Sequence, residues 1–329
     1  MSQRAAMRYV VLPITRTPLR ALNVSQPSVA DRPAAGPTRT PADPDTWLRW
    51  REQKLARYPR RVEDLIVEVR DPRQLRPSEL GELHRLCHVA NMAVYASPAG
   101  ARPDKDLPRR VGEQLGLHRL QANLLADEDG ISTLETSADK AARGYIPYST
   151  RRMHWHTDGY YNAPASSIRA FILHCVRPAE SGGANRLLDH EMAWLRLRDA
   201  DPAYVDVLSA PDAMTIPANV VDGVSIRPVR SGPVFSGTAG ALHMRYTART
   251  RSVEWRADAA TRAAVAQLNA ILDSDASGVF TLRLAAGQGL VCNNVLHDRS
   301  AYTDGTADRG GRLVYRARYT DRVAPHADY

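Results

Sequence analysis

The stretch MHWHTDGYYN, residues 153–162, decides how the rest of the chain reads. It contains His156-Thr-Asp158, two metal-binding side chains at i and i+2. On an extended chain successive side chains alternate faces, so these two point the same way and make half of a metal site. The other half has to come from elsewhere. The best source is His297 in CNNVLHDRSAY (292–302), at the end of a strand-like run that follows the turn GQG. Two histidines and one carboxylate on one face of an octahedron leave three positions open, the arrangement associated with non-haem Fe(II) oxygenases. A zinc hydrolase is the alternative on the same residues. His154, His156 and Asp158 would share one strand face, and zinc accepts this ligand chemistry.

Two further segments accompany the triad in a fixed order: a glycine pair in GGANRLLD (182–189) before the late histidine, and GGRLVYRARY (310–319) after it. On an extended 312–319, Arg312, Val314, Arg316 and Arg318 share a face aimed at anions. A planar guanidinium can take a carboxylate bidentately, which a lysine cannot do in the same way. Taken in order over roughly residues 150–322, these segments resemble the taurine dioxygenase/TfdA and clavaminate synthase-like family of Fe(II)/2-oxoglutarate oxygenases.

That resemblance implies an α+β, mainly β fold: a double-stranded β-helix, or jelly roll, with flanking helices and a helical insertion at about 190–275. It implies Fe(II) on His156, Asp158 and His297, with 2-oxoglutarate and O2 as cosubstrates. Arg312 would meet the far carboxylate of 2-oxoglutarate, and Asn185 would hydrogen-bond it. Arg316 matches a second family arginine nearer the substrate or the keto acid end. The implied reaction is hydroxylation of an unactivated C–H bond of a small carboxylate- or amine-bearing molecule, with release of succinate and CO2. GGAN stands where the taurine enzymes carry GGDT, so taurine itself is not carried over. A catalytically silent jelly-roll binding protein is the reading from another class.

Substrate contacts are expected from Tyr160, Tyr161 and Asn162, directly after the HxD, and from Arg245 and Tyr246 in HMRYTARTRSVEW (243–255). An aromatic pair could cage a cationic group, and Arg245 with Arg316 suits an anionic one.

Around this centre the chain reads as mixed helix and strand. Runs at 168–176, 279–285, 289–297 and 312–321 are rich in strand formers. A helix is expected over 78–92, and further helices start behind Asp104, Asp189, Asp201 and Asp258, whose carboxylates can cap free backbone N–H groups. Residues 25–46 are rich in proline and poor in apolar residues, so 1–46 read as a flexible arm and 47–329 as one catalytic domain. The net charge is +8, but residues 1–70 hold 13 Lys+Arg against 7 Asp+Glu, and the remainder is nearly balanced. A basic groove would gather charge on the working domain, so nucleic acid is not the expected partner. Three widely spaced cysteines suggest neither a disulfide framework nor a zinc knuckle. No apolar run approaches the roughly 18 residues of a membrane span, and the start lacks the apolar core of a secretion signal. A cytoplasmic enzyme acting on a small molecule is expected, as a monomer or a homo-oligomer.

Overall fold

A computed structural model of the chain describes residues 44–121, 129–138, 145–221, 223–238, 241–274, 278–305 and 310–323. All belong to one compact unit beginning at Pro33. The expected arm lies outside the described residues apart from 44–46, which open the first helix, α1 (Pro44–Arg57). Proline in the first turn, Asp45 beside it, and Lys54 with Arg57 in the last turn suit a helix start and the helix dipole. Trp47, Trp50 and Lys54 are buried on its inner side.

The other helices are α2 (Pro77–Ala90), α3 (Leu107–Gln114), α4 (His190–Ala200), α5 (Pro202–Leu208) and α6 (Ala259–Asp273). Three of the predicted aspartate caps are made: Asp189 accepts from Glu191 N, Asp201 from Ala203 N and Asp258 from Thr261 N. The α2 helix stops before Asn91, which turns the chain at φ 57°.

Ten strands build two main sheets: β1 (Ile66–Glu68), β2 (Met92–Ala96), β3 (Ser132–Leu134), β4 (Met153–His156), β5 (Ala170–Arg177), β6 (Asn185–Leu188), β7 (Val279–Leu282), β8 (Gln288–Cys292), β9 (Leu296–Arg299) and β10 (Leu313–Tyr319). One sheet has six strands in the order β1-β2-β8-β5-β10-β3, the other four in the order β7-β6-β9-β4. All pairings are antiparallel except β1 with β2. Strand β5, AFILHCV before Arg177, is buried along its length and forms the middle of the core.

Two expectations change. The apolar run at 289–297 is two strands in different sheets, β8 and β9, because the chain turns at Asn293–Asn294, with Asn294 at φ 54°. The span 190–275 is not helical throughout. It carries α4, α5 and α6 together with short strands between Met214 and Trp255. Segments such as Ala241–Met244 alternate half-buried and buried residues, the period of a strand and not of a helix. This span separates β6 from β7, which nevertheless pair, Leu188 opposite Val279.

Helix α1 docks onto the inserted span. Trp47, Trp50 and Trp194 form a three-ring cluster with centroids 5.2–5.8 Å apart, a geometry worth about 0.5–1.5 kcal/mol per pair beyond burial. Beneath it the Lys54 ammonium donates to Val89 O at 2.7 Å and to Asp189 Oδ2 and Glu191 Oε2 at 2.6 Å each. The three cysteines are free and buried. Among the described residues no helix is long and apolar enough to cross a membrane.

Candidate metal centre

Strands β4 and β9 lie side by side with His156 opposite His297, so their pairing alone brings the two histidines together. Asp158 follows where the chain leaves β4 for a turn. Each of the three offers a ligand atom, and all these atoms lie within 4.8 Å of one another. Asp158 Oδ1 is 3.6 Å from His156 Nε2 and 4.0 Å from His297 Nε2. The other ring nitrogens are committed: His156 Nδ1 lies 2.9 Å from His154 O and His297 Nδ1 2.9 Å from Val295 O. A proton on each Nδ1 satisfies those carbonyls and leaves both Nε2 lone pairs facing the carboxylate. Burial, helped by neighbouring His156, lowers the His297 pKa to about 3, so its ring is neutral at working pH. Burial would raise the Asp158 pKa, but Arg316, with NH1 at 3.2 Å from Oδ2, and His156 hold it well below the usual carboxylate range. A neutral His297 ring and an ionised Asp158 are the protonation states a divalent cation requires of them.

His154 does not join them. It is exposed, because β4 carries a bulge: His297 pairs with His156 but Arg299 pairs with Met153, one residue out of step. The extra residue breaks the alternation that would have put His154 beside His156. The ligand set of the zinc alternative is therefore not assembled.

Asn294 holds the ligand loop, and the sequence reading missed it. Its Oδ1 accepts from Asp158 N at 2.8 Å, while its Nδ2 donates to Asp158 O at 3.0 Å and Ile168 O at 2.8 Å. An asparagine just before the strand that carries the late histidine is the signal that could have found it. Next to Asp158, Gly159 sits at φ +65°, and a Cβ there would lie 2.5 Å from the Ile168 side chain. Replacing Asn294 by Leu should weaken Fe(II) binding about 10–100-fold, the usual cost of losing an outer-shell partner. Isothermal titration under anaerobic conditions measures this, and unchanged affinity would show that the clamp is idle.

A pocket between the sheets is lined by Asp158 and His297, by Phe171 and Leu173 of β5, and by Asn185, Arg299, Arg312 and Arg316. All three arginines are buried, and Arg312 NH1, Arg316 Nε and Arg299 Nε have no hydrogen-bond partner among the described residues. Unpaired guanidinium N–H groups at this depth suit an anionic ligand. Arg299 donates its remaining nitrogens to the carbonyls of Pro147, Ser149 and Arg151, tying the segment before β4 to β9. Tyr302 lies against both guanidinium groups, 4.8 Å from Arg299 and 5.3 Å from Arg312. Asn185 Nδ2 donates to Asp298 O at 2.8 Å. Asp298 takes a fork from Arg186, at 2.9 and 2.6 Å. Gly182 of the glycine pair meets Ala301, whose oxygen would lie 2.3 Å from an added Cβ.

The predicted substrate contacts divide. Tyr160 and Tyr161 are half-buried, their rings edge to face at 5.2 Å, and Arg227 of the inserted span lies 5.7 Å over Tyr161. The other three make bonds within the fold. Asn162 Nδ2 closes its own turn onto Ser166 O. Arg245 donates to the carbonyls of Met214 and Arg230, holding two short strands together. Tyr246 is fully buried, with its hydroxyl on Asn269 of α6. Only its backbone reaches the site, pairing with Thr157.

The family described as taurine catabolism dioxygenase TauD, TfdA family matches residues 61–318. The chain belongs to that family. It is 33% identical over 180 residues to a uridine-5'-phosphate dioxygenase of Amycolatopsis sp, a match spanning 53% of this chain and 62% of that protein. A uridine-5'-phosphate dioxygenase of Streptomyces sp is 31% identical over 239 residues, 70% of this chain and 85% of that protein. Among solved structures, the non-heme iron oxygenase OrfP in complex with Fe and alpha-ketoglutaric acid superposes with a TM-score of 0.57 at 18% identity, covering 85% of this chain and 92% of that one. Asparagine oxygenase in complex with Fe(II), 2S,3S-3-hydroxyasparagine and succinate gives 0.54 at 17% identity, covering 74% and 78%. The family description and both named relatives are dioxygenases.

Proposed function

We propose that the two sheets are the faces of a double-stranded β-helix, and that His156, Asp158 and His297 hold Fe(II) between them. The observation that carries this is the meeting of three ligand atoms within 4.8 Å beside buried guanidinium nitrogens that have no partner among the described residues. Bound iron supplies the centre at which O2 and 2-oxoglutarate are converted into oxidising power, CO2 and succinate. The chain's part is to hold and orient. Arg312 takes the far carboxylate of 2-oxoglutarate, Asn185 lines its path, and Phe171 and Leu173 keep that path dry. Asp158 stays ionised because Arg316 and His156 oppose its protonation, so the site keeps an oxygen ligand and the expected outcome is insertion of one O2 atom into a C–H bond. The catalytic domain runs from α1 onward, with the arm before it.

The substrate reading shifts from the carboxylate- or amine-bearing molecule suggested by the sequence to a small phosphate-bearing one, with uridine 5'-phosphate the first candidate. The two relatives above, both more than 30% identical, support it. Fe(II), 2-oxoglutarate and O2 with uridine 5'-phosphate should release succinate faster than the same mixture with taurine, asparagine or arginine. Stimulation by one of those amino acids or by taurine, and none by the nucleotide, would reject this substrate class.

Replacing Arg312 by Met should raise the KM for 2-oxoglutarate at least about tenfold, since it removes a charged hydrogen bond of about 1.5–3 kcal/mol. Steady-state succinate release at varied 2-oxoglutarate measures this. An unchanged KM would move the cosubstrate elsewhere.

A further inference from the structure

Strand β10 carries a second buried cation that the metal and cosubstrate leave unused. Arg316 and Arg318 occupy positions i and i+2 of a regularly paired stretch, opposite Leu173 and Phe171, so their side chains leave the same face. Arg316 is engaged with Asp158. Arg318 is 3% exposed, and its Nε and one terminal nitrogen have no hydrogen-bond partner among the described residues. It lies on the Tyr161 side of the centre, next to the Tyr161 hydroxyl and within the field of Asp158. Arg227, with a terminal nitrogen that has no partner among the described residues, lies 5.7 Å over the Tyr161 ring.

The charges around the centre do not balance. Arg299, Arg312, Arg316 and Arg318 are all buried there, and among the described residues Asp158 is the carboxylate paired with one of them, because Asp298 is taken by Arg186. A divalent metal and a doubly charged 2-oxoglutarate cancel each other. The positive excess therefore persists in the loaded enzyme, and burying charge without a counter-ion is costly. Arg312 serves the cosubstrate and Arg299 is bound to three carbonyls, which leaves Arg318, hydrogen-bonded to Tyr161 but with two nitrogens still free among the described residues, as the remaining donor set.

We propose that Arg318, assisted by Arg227 over Tyr161, is the receptor for a phosphate monoester on the substrate and sets the enzyme's preference for a phosphorylated over a neutral molecule. A phosphate monoester matches this site better than a carboxylate, because it brings close to two negative charges and three acceptor oxygens to several unpaired N–H groups. The inference rests on the reading of the iron centre and adds the group that selects the substrate.

The test uses the full chain loaded anaerobically with Fe(II) and 2-oxoglutarate, titrated with uridine 5'-phosphate and separately with uridine while the metal-to-ligand charge-transfer band is followed. Wild type should bind the nucleotide at least about tenfold tighter than the nucleoside, the value of one charged hydrogen bond at the low end. In Arg318→Gln the ratio should collapse towards one, and Arg318→Lys, which keeps the charge but loses the fork, should recover part of it. A packing role alone would weaken both ligands equally and leave the ratio intact. Equal binding of the two ligands by wild type, or an unchanged ratio in Arg318→Gln, overturns the inference. If that variant does not fold, the wild-type ratio and the lysine variant decide. No band in wild type overturns the iron centre and this inference with it, whereas a band without phosphate preference overturns this inference alone.

Discussion

Asp158→Ala will lose succinate release and bind Fe(II) more than about a hundredfold more weakly, because even outer-shell partners of a metal ligand are worth about 10–100-fold. The carboxylate has two duties. In the proposed centre it is the oxygen ligand beside two imidazoles, and it neutralises Arg316 at 3.2 Å. Its removal leaves a buried guanidinium without a counter-ion, so the metal-free variant should also melt lower than wild type. The partner variant is His154→Ala. His154 is exposed and outside the cluster, so its side chain should be dispensable for iron, whereas the zinc alternative requires it. Iron content after anaerobic loading, measured for both variants, separates the readings. Loss of metal in His154→Ala, or its retention in Asp158→Ala, would contradict the ligand assignment.

Lys54→Met should cost about 3–5 kcal/mol of stability, a fall in Tm of roughly 6–15 °C. The methionine fills the space of the stem, but Asp189 and Glu191 keep their charges in a buried place without the ammonium that bonds both. The pH dependence gives a second reading. Burial would raise the Glu191 pKa, but Lys54 overrides it and holds it at about 2, below its ordinary 4.5. A depressed carboxyl contributes stability that is complete above about 4.5 and lost as pH falls towards 2. The gap between wild type and variant should therefore be widest at neutral pH and narrow on acidification through that window. Denaturant unfolding at pH 7 and pH 4 measures it. A gap below about 1 kcal/mol at pH 7, the range of an exposed pair, would show that the ammonium is not isolated from water.

How much of this was legible in the sequence depends on how local the cause is. His156, Asp158 and His297 are readable because strand parity and order along the chain fix them, and the structure brings the three together. The caps at Asp189, Asp201 and Asp258 are readable because a carboxylate and the N–H groups it accepts lie within three residues. The division of 289–297 is not, since Leu290, Val291, Val295 and Leu296 are equally apolar and the change of sheet depends on two asparagines whose partners lie far away in sequence. Parity itself failed at His154, where a single bulged residue reversed it. Arg245 and Tyr246 carry suitable chemistry, but their partners, Met214, Arg230 and Asn269, could not be paired with them from a single sequence. The same holds for Asn294 and Arg318, ordinary residues until folding places one on the backbone of Asp158 and the other beside Tyr161.

The central claim is an iron centre that chelates 2-oxoglutarate. Anaerobic addition of Fe(II) and then 2-oxoglutarate to the full chain tests it most directly, with the visible spectrum recorded in wild type and in His297→Ala. A metal-to-ligand charge-transfer band that appears in wild type at one equivalent of each, and is missing in His297→Ala, is the predicted result. No band in wild type, or an equal band in the variant, would contradict it.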